Sequence, residues 1–281
     1  MSIEKGILYV VATPIGNRGD MTVRAVEVLK AVTLIAAEDT RHSRPLLNYY
    51  AITTPLMAFH EHNERQAMNK VTAMLQAGDS IALISDAGTP LISDPGFPLV
   101  RECHRLGIPV SPLPGASAAL AALSAGGLPT DRFFFEGFPA RTSHARREQF
   151  TRLKDEPATL VFYESSHRVA DTLVDMAEVF GESRTAVMAR ELTKLHETLR
   201  QDSLGALCEF VAADSNQRKG EFVILVAGKI RAEDELAPET ARILQLLLEE
   251  MPTKKAAALA ARITGEKKNR LYQQALEWRN D

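Results

Sequence analysis

The sequence predicts an α/β protein built from two α/β domains, with a small helical appendage at the C-terminal end. Three observations carry that prediction. Short apolar runs alternate with helical patterns from Ile7 to Gly126, the order expected of a mostly parallel sheet covered by helices. A break at Gly126-Gly-Leu-Pro-Thr130 interrupts the alternation before it resumes. A helix–turn–helix pattern then follows an acid-rich stretch near the end. At 281 residues the chain suits two domains of ordinary size. The boundaries fall at 1–125, 126–230 and 231–281, the last being linker and helical tail.

Ile7 to Val11 reads as a buried strand and Thr13-Pro-Ile-Gly-Asn17 as the turn after it. Asp20 or Thr22 caps a helix whose apolar face includes Val26, Leu29 and Val32. A second strand, Thr33 to Ala37, ends in Glu38-Asp-Thr-Arg-His-Ser43. That cluster is either a solvated loop with Asp39 or Thr40 as helix cap, or a substrate-contacting edge. Leu56 to Phe59 leads into His60-Glu-His-Asn-Glu-Arg65. Its two histidines stand at i and i+2, positions that do not face each other on a helix, and no third ligand is evident. The stretch reads as a polar patch or a plain helix start. The helix after it runs to about Gln76 and stops at Gly78.

The most informative stretch is Ile84-Ser-Asp-Ala-Gly-Thr-Pro-Leu-Ile-Ser-Asp-Pro-Gly-Phe-Pro98, between the strand Ile81 to Ile84 and a helix from Leu99 to Leu106. Asp86 falls at the carboxyl end of that strand, where open α/β sheets place ligands. Gly88 and Gly96 let backbone approach a ligand closely. Pro109 to Leu113 is the next strand, followed by a small-residue helix opened by Pro114-Gly115. Its amino-terminal amides suit a polar or anionic group, and its small side chains equally suit tight packing.

In the second half, Arg141 to Lys154 holds five basic residues and one acid, a solvated helix face or a phosphate-contacting patch. Strands at Thr159 to Tyr163 and Ala186 to Ala189 end in Glu-Ser-Ser-His-Arg168 and Arg190-Glu-Leu-Thr-Lys-Leu-His-Glu197. A helix near Leu204 to Ala213 and a last strand within Lys219 to Gly228 follow. Lys229 to Glu250 is acid-rich and reads as a linker entering a helix. Met251 to Asp281 carries seven basic residues and three acids, either an amphipathic pair or a nucleic-acid-contacting appendage.

The net charge of −3 excludes a uniformly basic nucleic-acid binder but not a localised basic patch. Cys103 and Cys208 lie far apart in helical patterns, so no disulfide framework or zinc cluster is expected. No cleavage-site pattern follows the first apolar run, and no run approaches the roughly 20 residues that span a bilayer. The expectation is a soluble cytoplasmic protein. GxGxxG, GxxxxGK[ST] and GxSxG are all absent, which argues against dinucleotide, P-loop and nucleophile-elbow chemistry. Strand ends from both halves carry Ser, Asp, Glu, His and Arg clusters, which a cleft between the domains would collect.

The segments LYVVATPIGNRGDMTVRAVEVL, AEDTRHS, FHEHNE, SDAGTPLISDPG, PLPGASAALAALSAGGLP, FYESSHR, ARELTKLHE and KGEFV carry a resemblance over nearly the whole chain. The sequence resembles the tetrapyrrole methylase superfamily, the class III S-adenosylmethionine-dependent methyltransferases. Within it, it is most similar to the RsmI-type small-subunit ribosomal RNA (cytidine-2′-O)-methyltransferases. The ATPIG turn and the Ser-Asp-Ala-Gly-Thr-Pro segment match that ribosomal RNA subfamily and weaken a corrinoid or siroheme assignment.

The resemblance implies a homodimer, with S-adenosyl-L-methionine in the cleft between the domains. Carried over by motif, Pro14, Ile84, Ser85, Asp86, Thr89, Ser117, Ala118, Glu164, Ala189 and Gly220 would hold the cofactor, many through backbone groups. The implied reaction is methyl transfer to a ribose 2′-hydroxyl of a decoding-region cytidine in 16S ribosomal RNA. Asp39, Glu191 and Lys194 are candidates for polarising that hydroxyl, Lys194 only if its pKa is depressed. Arg41, His42, His60, Asn63, Arg168 and Arg190 are candidates for RNA contact, and no metal is implied. Two alternatives share the fold: a tetrapyrrole C-methyltransferase, and a non-catalytic S-adenosylmethionine-binding ribosome assembly factor.

Overall fold

The computed structural model describes residues 5–229, 236 and 238–280. The chain divides into two compact units, Met1–Lys229 and Ile230–Asp281. Much of the acid-rich linker expected after Lys229 (230–235 and 237) lies outside the described residues.

In the first unit, β1 (Leu8–Val11), α1 (Val23–Ala31), β2 (Leu34–Ala37), α2 (Thr40–Tyr49), β3 (Leu56–Ala58), α3 (Glu64–Gln76), β4 (Ile81–Ile84), α4 (Phe97–Arg105) and β5 (Val110–Leu113) follow in order. The strands form one sheet, β3-β2-β4-β1-β5, with every pairing parallel. β2 and β4 are buried at every position, which is why they read as unbroken apolar runs. Alternate residues serve opposite faces. Tyr9, Val11, Ile35, Ala37 and Ile84 pack with Val28 and Leu29 of α1 and Leu47 of α2. Leu8, Ala36, Ile81 and Leu83 pack with Val71 and Leu75 of α3 and Leu99 of α4. Each valine, leucine or isoleucine among them contributes roughly 1.5–3 kcal/mol when fully buried. Thr22 caps α1, accepting from Ala25 N at 3.2 Å, and Asp39 caps α2, accepting from Arg41 N at 2.8 Å.

α5 (Ala118–Gly126) leads to β6 (Phe133–Gly137), α6 (Ser143–Leu153), β7 (Thr159–Ser165), α7 (Val169–Phe180), β8 (Thr185–Arg190), β9 (Thr198–Ser203), α8 (Leu204–Ala213) and β10 (Glu221–Val226). The second sheet runs β6-β7-β10-β8-β9, parallel only between β6 and β7. One face packs on α6, α7 and α8 through Phe150, Leu173, Met176 and Leu207. The other packs on α5 through Ala119, Ala122 and Leu123. Small residues are required there: a Cβ on Gly126 would stand 2.6 Å from Leu225 Cδ1. Composition changes at 126–130, but the packing passes to the second sheet already at α5. β9, which the sequence pattern does not announce, is an edge strand of Thr-Leu-Arg-Gln-Asp-Ser with too few apolar positions for a periodic signal.

The basic run Arg141 to Lys154 falls mostly on α6, and two of its cations are turned inward rather than solvated. Arg146 Nε at 2.6 Å, Arg147 Nε at 2.7 Å and Ser143 Oγ at 2.8 Å all donate to the Asp175 carboxylate of α7. Arg146 and Asp175 are both buried, and Arg147 also pairs with Glu178. Two of the five cations therefore join α6 to α7, which leaves Arg141, Arg152 and Lys154 exposed.

The second unit holds α9 (Pro238–Glu250), α10 (Thr253–Thr264) and α11 (Lys268–Asn280) around Leu244, Ala256, Ala257, Ala260, Leu271 and Ala275. Lys254, Lys255, Arg262, Lys267 and Lys268 are exposed on it. Among the described residues no helix is long and apolar enough to cross a membrane.

Asp175→Ala strands a buried guanidinium and is expected to cost about 3–5 kcal/mol in urea unfolding. Arg147→Ala, whose side chain is 40% exposed, is expected to cost far less.

Candidate functional site

The parallel strands β1, β2, β4 and β5 end at Val11, Ala37, Ile84 and Leu113, and the loops leaving those ends are bonded into one surface. Thr13 N donates to Gly88 O at 2.8 Å and Gly88 N returns a bond to Thr13 O at 3.0 Å. Thr13 Oγ1 donates to Ser85 O at 3.2 Å, and Thr89 Oγ1 to Ala116 O at 3.0 Å. The central loop turns through left-handed backbone at Gly88, Leu91, Ser93 and Gly96. Leu91 and Ser93 are strained there, and such residues persist only where the surroundings hold them. Asp39 N donates to Asp86 Oδ1 at 3.1 Å and Asp86 N to Glu38 Oε2 at 3.4 Å, joining the ends of β2 and β4.

Over these ends lies a cavity of about 470 Å³ that also reaches the second sheet. Of the residues expected to hold a cofactor, Asp86, Thr89, Ser117, Ala118, Glu164, Ala189 and Gly220 line it. Its apolar wall includes Ile15, Ile92, Phe138, Tyr163 and Val223, and its carboxylates are Glu38, Asp86, Asp94, Glu164 and Glu221. No lysine or arginine lines it among the described residues. A second cavity of about 490 Å³ shares Ile15, Asp86, Ala87 and Glu221 with the first. Pro14 and Ser85 line this second space, together with Arg18, Arg41, His42 and Lys194. Ile84 lines neither; it is buried beneath the central loop.

Several side chains already have work within the fold. Glu164 accepts from Thr172 Oγ1 at 2.6 Å and Ser165 N at 2.8 Å, and Arg168 stands 3.2 Å from it. Tyr163 OH accepts from Ala119 N at 3.3 Å, and burial pushes the phenol pKa up. The Asp39 carboxylate takes two side-chain bonds from Arg41, at 3.1 and 2.7 Å, which hold its pKa well below the usual carboxylate range. Glu191 accepts from Lys194 Nζ and Glu221 N, both at 2.9 Å. Partial burial raises its pKa, but those bonds outweigh burial and the net shift is downward.

The condition attached to Lys194, a depressed pKa, is not met. Partial burial pulls the ammonium down, but Glu221 and Glu191 outweigh it and the net shift is upward. Arg190 and Arg168 also depart from the RNA-contact reading. Buried Arg190 donates to Lys219 O at 2.6 Å and His196 O at 3.1 Å. Arg168 donates to Pro139 O at 2.6 Å and Ala140 O at 3.0 Å. Their guanidiniums serve backbone carbonyls. Asn63 likewise closes its own turn, accepting from His60 N at 2.9 Å and donating to Ala58 O at 3.0 Å. Neither His60 nor Asn63 lines either of these two cavities. Arg41 and His42 are exposed at the charged space.

Sequence reasoning passed over Asp94, Glu38, Tyr163, Phe138 and Glu221 as cavity residues and Arg18 as a groove residue. The signal for Asp94 was present, because it is the second aspartate of the central loop, but it reads there as turn chemistry. Burial, reinforced by the charges of Glu38 and Asp86 and opposed by a Ser85 hydrogen bond, raises its pKa to about 6.

The cavity lies over the carboxyl ends of one sheet and against a second, and solved structures share this two-sheet α/β fold. One is a diphthine synthase (TM-score 0.60, 14% identity, covering 80% of this chain and 91% of that one). Another is a cobalt precorrin-4 methyltransferase (TM-score 0.59, 16% identity, covering 79% and 95%). The model for tetrapyrrole (corrin/porphyrin) methylases matches residues 7–208, and that for the RsmI C-terminal HTH domain matches 234–279. Curated relatives include the ribosomal RNA small subunit methyltransferase I of Pseudomonas aeruginosa, 56% identical over 98% of both chains. That of Escherichia coli O157:H7 is 55% identical over 98% of this chain and 96% of its own. The chain belongs to the tetrapyrrole methylase family, in the RsmI branch that these relatives represent.

Because the Asp94 pKa is raised from 3.8 to about 6, the ligand-free protein loses stability as pH rises through that interval and Asp94 ionises. Asp94→Asn, which stays neutral, is expected to melt a few degrees higher than wild type at pH 7.5 and at the same temperature near pH 4.

Proposed function

We propose that this chain is an S-adenosyl-L-methionine-dependent methyltransferase acting on small-subunit ribosomal RNA, at the ribose 2′-hydroxyl of a decoding-region cytidine. One observation carries the reading: an acid-walled, aromatic-edged cavity and a cation-lined groove meet along a shared wall of Ile15, Asp86, Ala87 and Glu221. The names of the relatives support the RNA class of substrate.

The residues present fit the cofactor. Glu38, Asp86 and Asp94, on a wall that no lysine or arginine lines among the described residues, suit a ligand bearing a sulfonium and an ammonium, and the apolar wall suits an adenine ring. The bound cofactor supplies an electrophilic methyl group and a neutral thioether leaving group. Left-handed Gly88 and small Ser117 and Ala118 let backbone groups reach the ligand. Arg18, Arg41, His42 and Lys194 offer cations to a ribose-phosphate strand in the groove, and a hydroxyl held at the shared wall faces Asp86. Asp39 and Glu191, bound in ion pairs at lowered pKa, have lost basicity. Asp86 is the better-placed proton acceptor. The exposed cations of the C-terminal unit offer further phosphate partners.

The test uses purified protein, methyl-labelled cofactor and small subunits from a strain lacking the protein. Label in an alkali-resistant linkage at one cytidine is expected. Label appearing instead in uroporphyrinogen, or nowhere despite cofactor binding, would sink the proposal. Asp86→Asn should lower turnover by about 100-fold or more while subunit binding persists. Replacing Lys254, Lys255, Arg262, Lys267 and Lys268 with alanine should weaken subunit binding and flatten its salt dependence. The log–log slope should fall by about 0.7–0.9 for each phosphate that the variant no longer neutralises.

A further inference from the structure

The connection between β8 and β9, residues 191–197, is far more constrained than an exposed loop needs to be. Glu191 and Thr193 both adopt left-handed backbone (φ +50° and +66°) although neither is glycine. Internal bonds run from Lys194 N to Glu191 O at 3.0 Å, from Glu197 N to Lys194 O at 3.1 Å and from Thr193 N to Glu197 Oε2 at 2.6 Å. Arg190 braces the loop from beneath through His196 O.

Two glycines on other segments receive its charged side chains. A Cβ on Gly220 would stand 2.5 Å from Glu191 Cγ. A Cβ on Gly16 would overlap Lys194 Cγ and stand 3.0 Å from both Lys194 Cε and Thr193 Oγ1. Beside that second notch, Asn17 N donates to Thr193 Oγ1 at 3.1 Å, tying the loop to the first turn of the other sheet. Lys194 Nζ then reaches Glu191 at 2.9 Å and Glu221 at 2.8 Å, at the wall shared by the two cavities.

We propose that loop 191–197 is a clamp for the RNA acceptor: docked in the Gly16 notch, it holds Lys194 at the seam of the two cavities to position the ribose-phosphate beside the target hydroxyl. Lys194 is then a positioning residue and Gly16 the element that seats it. The strain at Glu191 and Thr193 has a use in this arrangement, because it fixes a lysine that would otherwise lose rotamer freedom on meeting RNA. Glu221, whose side chain is 75% exposed, is a partner that an incoming phosphate readily replaces. Such a clamp acts on the acceptor side and leaves cofactor affinity intact. The inference rests on the RNA methyltransferase reading.

The experiment compares wild type, Gly16→Ala, Lys194→Ala and the double variant by steady-state kinetics on small subunits, cofactor calorimetry and hydrogen–deuterium exchange. Each single variant should raise the KM for subunits about tenfold, leaving cofactor Kd within about twofold. The double variant should be close to Lys194→Ala, because the shortest contact is with a lysine atom that alanine lacks, leaving only the 3.0 Å approach to Thr193 Oγ1. In Gly16→Ala, exchange should rise together in 13–18 and 191–197. Penalties that multiply, an unchanged KM, or an exchange rise confined to 13–18 would each overturn the clamp. Thr193→Val, which removes the acceptor for Asn17 N–H and leaves the glycine intact, should reproduce the coupled exchange rise if Gly16→Ala does not fold. Absence of RNA labelling by wild type would instead strike at the functional reading, and the exchange data would still judge the docking.

Discussion

The pair of backbone hydrogen bonds between Thr13 and Gly88 joins two segments 75 residues apart in sequence, and the geometry of the site depends on it. Parallel strands deliver their loops to one edge of a sheet but do not fix how those loops lie. The Thr13–Gly88 bridge does so, with Gly88 in a left-handed conformation that an L side chain rarely adopts. With the first turn bound to the central loop, Ile15, Asp86 and Ala87 form a common wall, and the cavity and the charged groove open on its two sides. Thr89 then carries the same construction to the entry of α5, which belongs by packing to the second sheet.

Charge is distributed along that wall with a clear separation. Cations line only the groove side, and two of them are already paired: Lys194 with Glu191 and Glu221, Arg41 with Asp39. Pairing lowers the basicity of Asp39 and Glu191, whereas Asp94, half-buried near two other acids, is driven the other way. The same residue types thus have opposite capacities according to their neighbours. A chain of net charge −3 can accordingly present a cation-lined groove.

Much of the architecture was legible in the sequence because its signals are local. Unbroken apolar runs at Leu34–Ala37 and Ile81–Ile84 announced doubly covered strands, and Thr22 and Asp39 cap the helices they precede. The site was legible in part: Asp86, Thr89, Ser117 and Gly220 were marked by their motifs and meet at one cavity. Arg146, Arg168 and Arg190, which the sequence offers as solvated or RNA-facing charges, are all bonded within the fold. A positive charge in a polar stretch looks solvated until the fold supplies an internal acceptor, here Asp175, Pro139 O or Lys219 O.

By itself, then, the sequence determined most of the strands and helices, the parallel character of the first sheet and the family, since periodicity, caps and motifs are properties of neighbouring residues. Tertiary structure alone decided which charges are free and which loops touch. The notch at Gly16 is visible only when Lys194, 178 residues later, lies in it. Likewise Asp94 becomes a distinct acid only when the surrounding fold partly desolvates it and brings the charges of Glu38 and Asp86 near. Desolvation and long-range contact are properties of three-dimensional neighbours, and no local pattern encodes them.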